Sequence, residues 1–423
     1  MENSGVHEFF LNTVIIIVKR GLKGKSFFLL SNTGNPASLA MPKVVLILGL
    51  VSLFTDMATE MVYPILPLYV TTLGYGGLSL GLLEGSSEAL LSLVRFYSGA
   101  FSDRKGRRVV FVRLGYFISA VTKIFYLGAS LFWVFVARLG DRFGKGIRTA
   151  PRDALLAESR NSRDLGKIFG FHRAMDTLGA VLGPLLSIIY LSFEGFQLSY
   201  IFLLALIPGL IAVALTFALP KEKEKKKQDR RITLLAFAQK ARADYWLLSA
   251  NLWFLAMIHL SPAFPLLWFN VQGLHDQETV IFYLIYNLSY SLLAFPMGWL
   301  SDLYGKRRVL LSGIFFFFVA YVIWYKFHSY MAYLVGWLLY GLFSAMTEAI
   351  KKAWLSSFIP QEEKATGFGL FSMGEALFLL LGQGTVGFLW DYLGAQKALL
   401  WPLVGSVMAF CSIWFFTRKL AHN

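Results

Sequence analysis

One cysteine, Cys411, in 423 residues leaves no partner for an internal disulfide and no thiolate cluster for a metal. Histidine is nearly as scarce: the six present show no ligand spacing, so neither a metal nor any other cofactor is expected. There is no complete P-loop and no nucleophile elbow, so nucleotide hydrolysis and serine-hydrolase chemistry have no foothold and an enzyme is not expected. Charge is thin as well. Asp, Glu, Lys and Arg make up 15% of the chain, against about a quarter in a soluble domain. What fills the space is apolar. Hydrophobic residues reach 56% and aromatics 16%, gathered in recurring runs of about 20 residues, the length that crosses a bilayer core. The composition is that of a polytopic membrane protein. The net charge of +15 would suit a nucleic acid, but the bases collect in loops on one side of the predicted membrane, as cytoplasmic loops do. The expected partners are the bilayer and a small-molecule solute, with no nucleic acid.

One ten-residue stretch organises the rest. Gly99-Ala-Phe-Ser-Asp103-Arg104-Lys105-Gly106-Arg107-Arg108 lies between two long apolar runs, and Gly298-Trp-Leu-Ser-Asp302-Leu-Tyr-Gly305-Lys306-Arg307 repeats it 199 residues later. A second match falls at the same offset. Ala154-Leu-Leu-Ala and Phe169-Gly170 lie over Ala353-Trp-Leu-Ser and Phe368-Gly369, and Asp176 over Glu375. Two matches at one offset indicate a duplicated half. In the stretch itself, the first glycine lets helices approach, the acid can cap a helix start, the second glycine allows a tight turn, and the bases hold the loop in the cytoplasm.

Residues 1–42 read as an N-terminal extension. Its apolar run, Leu11–Val18, is too short to span and is followed by Lys19, Arg20, Lys23 and Lys25. An interfacial amphipathic segment and an upstream extension ahead of Met41-Pro42-Lys43 fit equally. A cleaved signal peptide fits less well, because the bases follow the apolar run. Twelve spans are then expected. Six lie at about 44–70, 80–101, 109–129, 131–150, 166–191 and 198–219, forming an N-terminal bundle over 43–220. Six more lie at about 245–269, 280–300, 309–327, 330–350, 366–390 and 398–417, forming a C-terminal bundle over 245–418. The charge run KEKEKKKQDRR opens a solvated linker, 221–244, and 419–423 is a tail. Loops after the even-numbered spans carry the bases and the opposite loops carry Glu194, Asp276 and Glu278, so both termini are expected in the cytoplasm.

Ionisable residues at membrane depth are costly and point to function. Asp56 and Glu60 stand one turn apart in the first span. Glu84, Glu88 and Arg95 share a face in the second. Arg138, Asp141, Arg142, Lys145 and Arg148 make a charged stripe in the fourth, where Asp141 has Arg138 and Lys145 within helical reach. His172, Arg173 and Asp176 follow in the fifth. The second half is poorer, with His259, Glu348 and Glu375. Glu60, Glu84, Glu88, Asp141 and Asp176 are candidates for a carboxylate that cycles its proton, Glu88 first because it shares a face with Arg95, then Asp176. Asp56, Arg95, Arg138, Arg142, Arg173, His259 and Glu375 are candidates for the solute cavity. Prolines recur in both halves, Pro64 and Pro67 against Pro262 and Pro265, where a broken backbone ladder exposes carbonyls.

The repeated stretch, with its spacing G-x-x-x-D-R-x-G-R-R, resembles the loops after helices 2 and 8 of the major facilitator superfamily. The resemblance covers residues 43–418. It implies an all-α fold of twelve transmembrane helices in two pseudo-symmetric bundles around a midplane cavity. It implies a gating role for Gly99, Asp103, Arg104, Gly106, Arg107 and Arg108, with Asp302, Gly305 and Arg307 as the weaker copy. Arg142-Phe-Gly-Lys145-Gly146 is similar to the helix 4 motif whose arginine is linked to proton transfer, with Lys145 in place of the usual amide. Gly179-Ala-Val-Leu-Gly183-Pro184 resembles the start of a motif associated with antiporters, but Ser187-Ile188-Ile189 stands where its paired glycines would follow. Helices 4 and 5 resemble one bacterial subgroup of uncertain substrate. By resemblance the protein works as a monomer. The expectation is an inner-membrane secondary transporter using alternating access, with the proton as coupling ion and an anionic or zwitterionic solute favoured by the surplus of Arg and Lys. A cationic multidrug/proton antiporter and a non-transporting sensor or scaffold are the alternatives.

Overall fold

The computed structural model describes residues 41–105, 107–159, 165–220, 234–360 and 363–418. The expectations for residues 1–40, Gly106, the charge run 221–231 and the tail lie outside the described residues, as do those for the side chains of Asp103 and Arg104.

The described chain is helical, with no strand among the described residues. Its first half holds α1 (Lys43–Thr72), α2 (Gly77–Lys105), α3 (Arg108–Gly128), α4 (Leu131–Glu158), α5 (Leu165–Leu191) and α6 (Leu198–Thr216). A short helix, Leu234–Lys240, precedes the second half. There follow α7 (Ala243–Val271), α8 (Asp276–Tyr304), α9 (Lys306–Lys326), α10 (Tyr330–Phe358), α11 (Lys364–Leu393) and α12 (Ala395–Phe416). Among the described residues, ten helices are long and apolar enough to cross a membrane. The exceptions are α2 and α4, which are just as long but carry the charged residues singled out above.

Several boundaries differ from the sequence reading. The second and fourth spans, expected at 80–101 and 131–150, extend to Gly77–Lys105 and Leu131–Glu158. Their flanking charges resemble loop residues, yet they pair within the fold: Arg108 meets Glu158 at 2.5 Å and Arg152 meets Asp153 at 2.9 Å. The prolines act as expected in α1 and α7. A 3₁₀ turn over Tyr63–Ile65 interrupts α1, and α7 breaks between Ile258 and Ala263.

In the first half α1 packs on α5 and α6, and α4 packs on α2 and α3. In the second, α10 packs on α8 and α9, and α7 packs on α11 and α12. Two seams join the halves, α2 with α11 and α5 with α8. The α2–α11 seam is tight because glycine recurs every fourth residue. A Cβ on Gly81 would strike the Gln383 carbonyl, and one on Gly85 the Leu380 backbone.

Candidate functional site

A cavity of about 450 Å³ lies between the halves, walled by α1, α2 and α4 on one side and by α7, α8, α10 and α11 on the other. That size suits a small organic molecule. Its mouth faces the end of the molecule that carries the basic loops, where Glu88 is 35% exposed and Lys352 is exposed. Its floor, toward the far end, is closed by Tyr63, Glu84, Ser261 and Gln383.

The floor is a hydrogen-bond net built on the break in α7. Glu84 is 3% exposed and receives three donors: Arg138 (2.8 Å), the Tyr63 hydroxyl (3.1 Å) and the Ser261 hydroxyl (2.8 Å). The Arg138 guanidinium also lies over the Tyr63 ring, 4.9 Å from its centre. Where a helix breaks inside a membrane protein, its backbone groups need new partners. Gln383 answers with both ends of its amide. It accepts from the Ser261 N–H (3.2 Å) and donates to the His259 carbonyl (2.9 Å). Tyr340 donates to the Leu260 carbonyl and lies 3.0 Å from His259 Nε2. Glu84, from the other half, thus docks on a hinge that its own half has already satisfied. A second link crosses nearby, where Tyr283 of α8 donates to Glu60 of α1 at 2.6 Å.

The walls carry ion pairs. Arg142 meets Glu88 at 3.3 Å, and Lys351 sits between Glu348 (3.1 Å) and Glu375 (2.7 Å). Among the described residues, four lining groups have no opposite charge within ion-pair distance: Arg95, Lys145, the exposed Lys352, and Glu60. The Nε atoms of Arg95 and Arg142 are buried without a hydrogen-bond partner. No group of His, Cys, Asp and Glu among the described residues is placed to hold a metal.

Glu60, Glu84, Glu88, Arg95, Arg142, His259 and Glu375 line the cavity. Asp56, Arg138, Asp141, Arg173 and Asp176 do not. The charged stripe of α4 divides. Arg142 and Lys145 reach the cavity and Arg138 supports Glu84 from behind, whereas Asp141 turns to Lys123 of α3 (3.3 Å) rather than to Arg138 or Lys145. Arg148 likewise turns to Ser119 and lies 4.4 Å from the Tyr116 ring centre. Glu88 pairs with Arg142 rather than with Arg95, its neighbour on the same face. Asp176 bonds to Ser52 and faces His172 (3.5 Å) at the α1–α5 contact, where Asp56 also lies beside Gly179. Arg173 donates to Tyr290 across the α5–α8 seam (3.1 Å). Gly183 packs on the Met57 carbonyl, and Pro184 is taken up inside α5. At the gating loops, Gly99 faces Ala150, Gly305 has φ +90°, and Asp302 is exposed. Arg307 donates to the Trp414 carbonyl (2.6 Å) and to Thr417 (3.2 Å). The sequence reading missed Lys123, Tyr63, Ser261 and Gln383. A polar side chain in mid-span was the signal available for each.

A family model described as Major Facilitator Superfamily matches residues 48–285 and 245–422. An uncharacterized MFS-type transporter of Methanocaldococcus jannaschii is 31% identical over 386 residues, which cover 89% of this chain and 95% of that one. Among solved structures, a mutant of the nucleoside transporter NupG superposes with a TM-score of 0.79 at 16% identity, over 89% of this chain and all of the other. A D-xylose-proton symporter gives 0.69 at 15% identity, over 88% and 97%. With its two six-helix halves, the cavity between them and these matches, the chain belongs to the Major Facilitator Superfamily.

Proposed function

We propose that this transporter moves a small organic solute bearing an anionic group, alone or as part of a zwitterion, across the inner membrane by alternating access coupled to protons. The observation that carries the reading is the imbalance of the cavity. Apart from the exposed Lys352 its other charges are paired, while Arg95 and Lys145 on one wall have no carboxylate and Glu60 has no cation. An incoming carboxylate or phosphate supplies the missing partner, and arginine suits either group bidentately. Glu60 takes the proton-coupling role that face-sharing alone assigned to Glu88, because Glu88 is already held by Arg142. Protonating Glu60 turns the charge-assisted bond from Tyr283 into a weaker neutral one, and that bond ties the halves together at the floor. By the placement of its basic loops the cavity faces the cytoplasm. The D-xylose-proton symporter among the structural neighbours supports proton coupling as within the reach of this fold.

Cationic solutes are the competing reading, and Glu60 is the observation in their favour. The test is reconstitution in liposomes holding a pH-sensitive dye, with a panel of carboxylates, phosphates and organic cations. Anionic or zwitterionic solutes are expected to drive proton movement. Arg95→Gln and Lys145→Gln should each raise the solute KM by about tenfold, the loss of one charge-assisted contact. Glu60→Gln should keep solute exchange and lose its response to a pH gradient. Cations that drive proton movement where anions do not would reverse the solute charge. A pH response intact in Glu60→Gln would remove the proton assignment.

A further inference from the structure

The start of α2 has no cap of its own. Gly76 and Gly77 open it, and neither has a side chain to accept from the free N–H groups of a first turn. The acceptor comes from the other half. Asp391 of α11 receives the Gly77 N–H at Oδ1 (2.7 Å) and the Leu78 N–H at Oδ2 (2.9 Å). The two glycines admit it, since a Cβ on Gly76 would strike the Asp391 carboxylate and one on Gly77 the Trp390 ring.

For its own helix Asp391 is badly placed. It stands in the last turn of α11, which ends at Leu393, where the helix dipole disfavours an acid. It is well placed only for α2, whose positive end it meets. The start of α8, at the equivalent place in the second half, shows that such borrowing is no general need. There His275 and Glu278 form a capping box within one chain segment.

We infer that Asp391 is a gating residue: its carboxylate is a cap lent across the halves, fastening the far end while the cavity is open at its mouth and letting go when the cavity turns over. It acts by positioning α2 and touches no solute. The inference rests on the two halves rocking, and on neither the solute nor the proton assignment above.

Labelling tests it without any solute. The native Cys411 is replaced by serine, and the full chain is held in lipid nanodiscs, where both ends are open to reagent. One reporter is Val280→Cys. Val280 is fully buried on α8, in an apolar cluster drawn mainly from α1, α5 and α6, and α8 packs on α5 at the seam away from Asp391, so fraying at the start of α2 is not enough to expose it. The other is Ser372→Cys, in the cavity lining. Asp391→Ala should shift the balance between the two states roughly tenfold, raising the maleimide rate at Val280→Cys by up to that factor and lowering the rate at Ser372→Cys by the share of protein that leaves the open-mouth state, as expected when a closed state loses a charged contact. Asp391→Asn keeps one acceptor oxygen and should fall between. Unchanged rates overturn the inference. Rates that rise together at both reporters also overturn it, because loosening opens both ends and gating exchanges them.

Discussion

The two halves share a fold and differ in what holds them. Among the described residues, every buried Asp, Glu, Lys or Arg lies in the first half: Glu84, Lys123, Arg138, Asp141, Arg142 and Arg148. The second half buries Ser, Thr, Asn and Gln, and fills its centre with rings. Ten of the eleven tryptophans fall after residue 245. Trp324 and Trp337 meet edge to face at 5.4 Å, Phe269 meets Tyr333 at 4.5 Å, and Phe317 meets Phe343 at 4.5 Å. Lipid is as apolar as leucine, so apolar side chains gain little by leaving it. Helices associate there through close packing and polar bonds. One half uses polar bonds and the other uses packing. The difference matters in the cavity. Ion pairs can be remade by a solute or a proton, whereas interlocked rings cannot. The first half therefore supplies most of the responsive wall and the second a stiffer one, in which Lys351 between Glu348 and Glu375 is the exception, with the docking of Glu84 on the α7 break as the joint between them.

The sharpest way to break this comparison is to strand one buried charge. Arg138→Ala leaves Glu84 without its cation and should cost about 3–5 kcal/mol, read as a large drop in unfolding temperature. Neutralising both partners, Arg138→Met with Glu84→Gln, should recover more than half of that loss, because the penalty is an uncompensated charge rather than lost volume. In the second half, Trp337→Phe should cost less, about 1–2 kcal/mol, through lost contact with Phe269, Trp324 and Tyr340. No polar substitution nearby should recover it. A rescue there, or none at Arg138, would mean that the halves are held alike.

Sequence alone reached the duplication, the twelve helices and the proline breaks, because each is a repeating local pattern. It stopped at partners. Face arithmetic placed Glu84, Glu88 and Arg95 together, and all three line the cavity, but it cannot say which neighbouring helix supplies the counter-charge. Arg142 took Glu88, and Lys123, overlooked in an apolar span, took Asp141. The ends of α2 and α4 were misjudged for a related reason. A span is recognised by lack of charge, and these two helices keep charge that finds partners within the fold, mostly on neighbouring helices. The contacts that join the halves were invisible. Asp391 meets α2 over 314 residues of chain, and Tyr283 meets Glu60 over 223. Nothing local marks either acid as one side of a closure.

The smallest effect sharpens the comparison at its edge, in the two copies of the gating loop. In the first copy Arg108 forms an ion pair with Glu158, which is 41% exposed. In the second Arg307 lies over the Trp414 ring, 4.9 Å from its centre. The same loop is therefore tied by an ion pair in one half and, in the other, by a ring and two hydrogen bonds to uncharged oxygens. Arg307→Gln should cost about 1 kcal/mol, the worth of a surface cation–π contact with two hydrogen bonds that water can largely replace. Arg108→Gln should cost no more, since an exposed ion pair is worth about 0–1 kcal/mol. Salt separates them. Raising ionic strength screens the Arg108–Glu158 pair, so the penalty of Arg108→Gln should shrink toward zero. The Trp414 ring carries no net charge to screen and its contact is short-ranged, so the penalty of Arg307→Gln should hold. Unfolding temperatures of both variants at low and high salt decide it. Equal salt sensitivity would show that the contrast between the halves stops at their cores, while a difference would carry it out to the loops at the cavity's mouth.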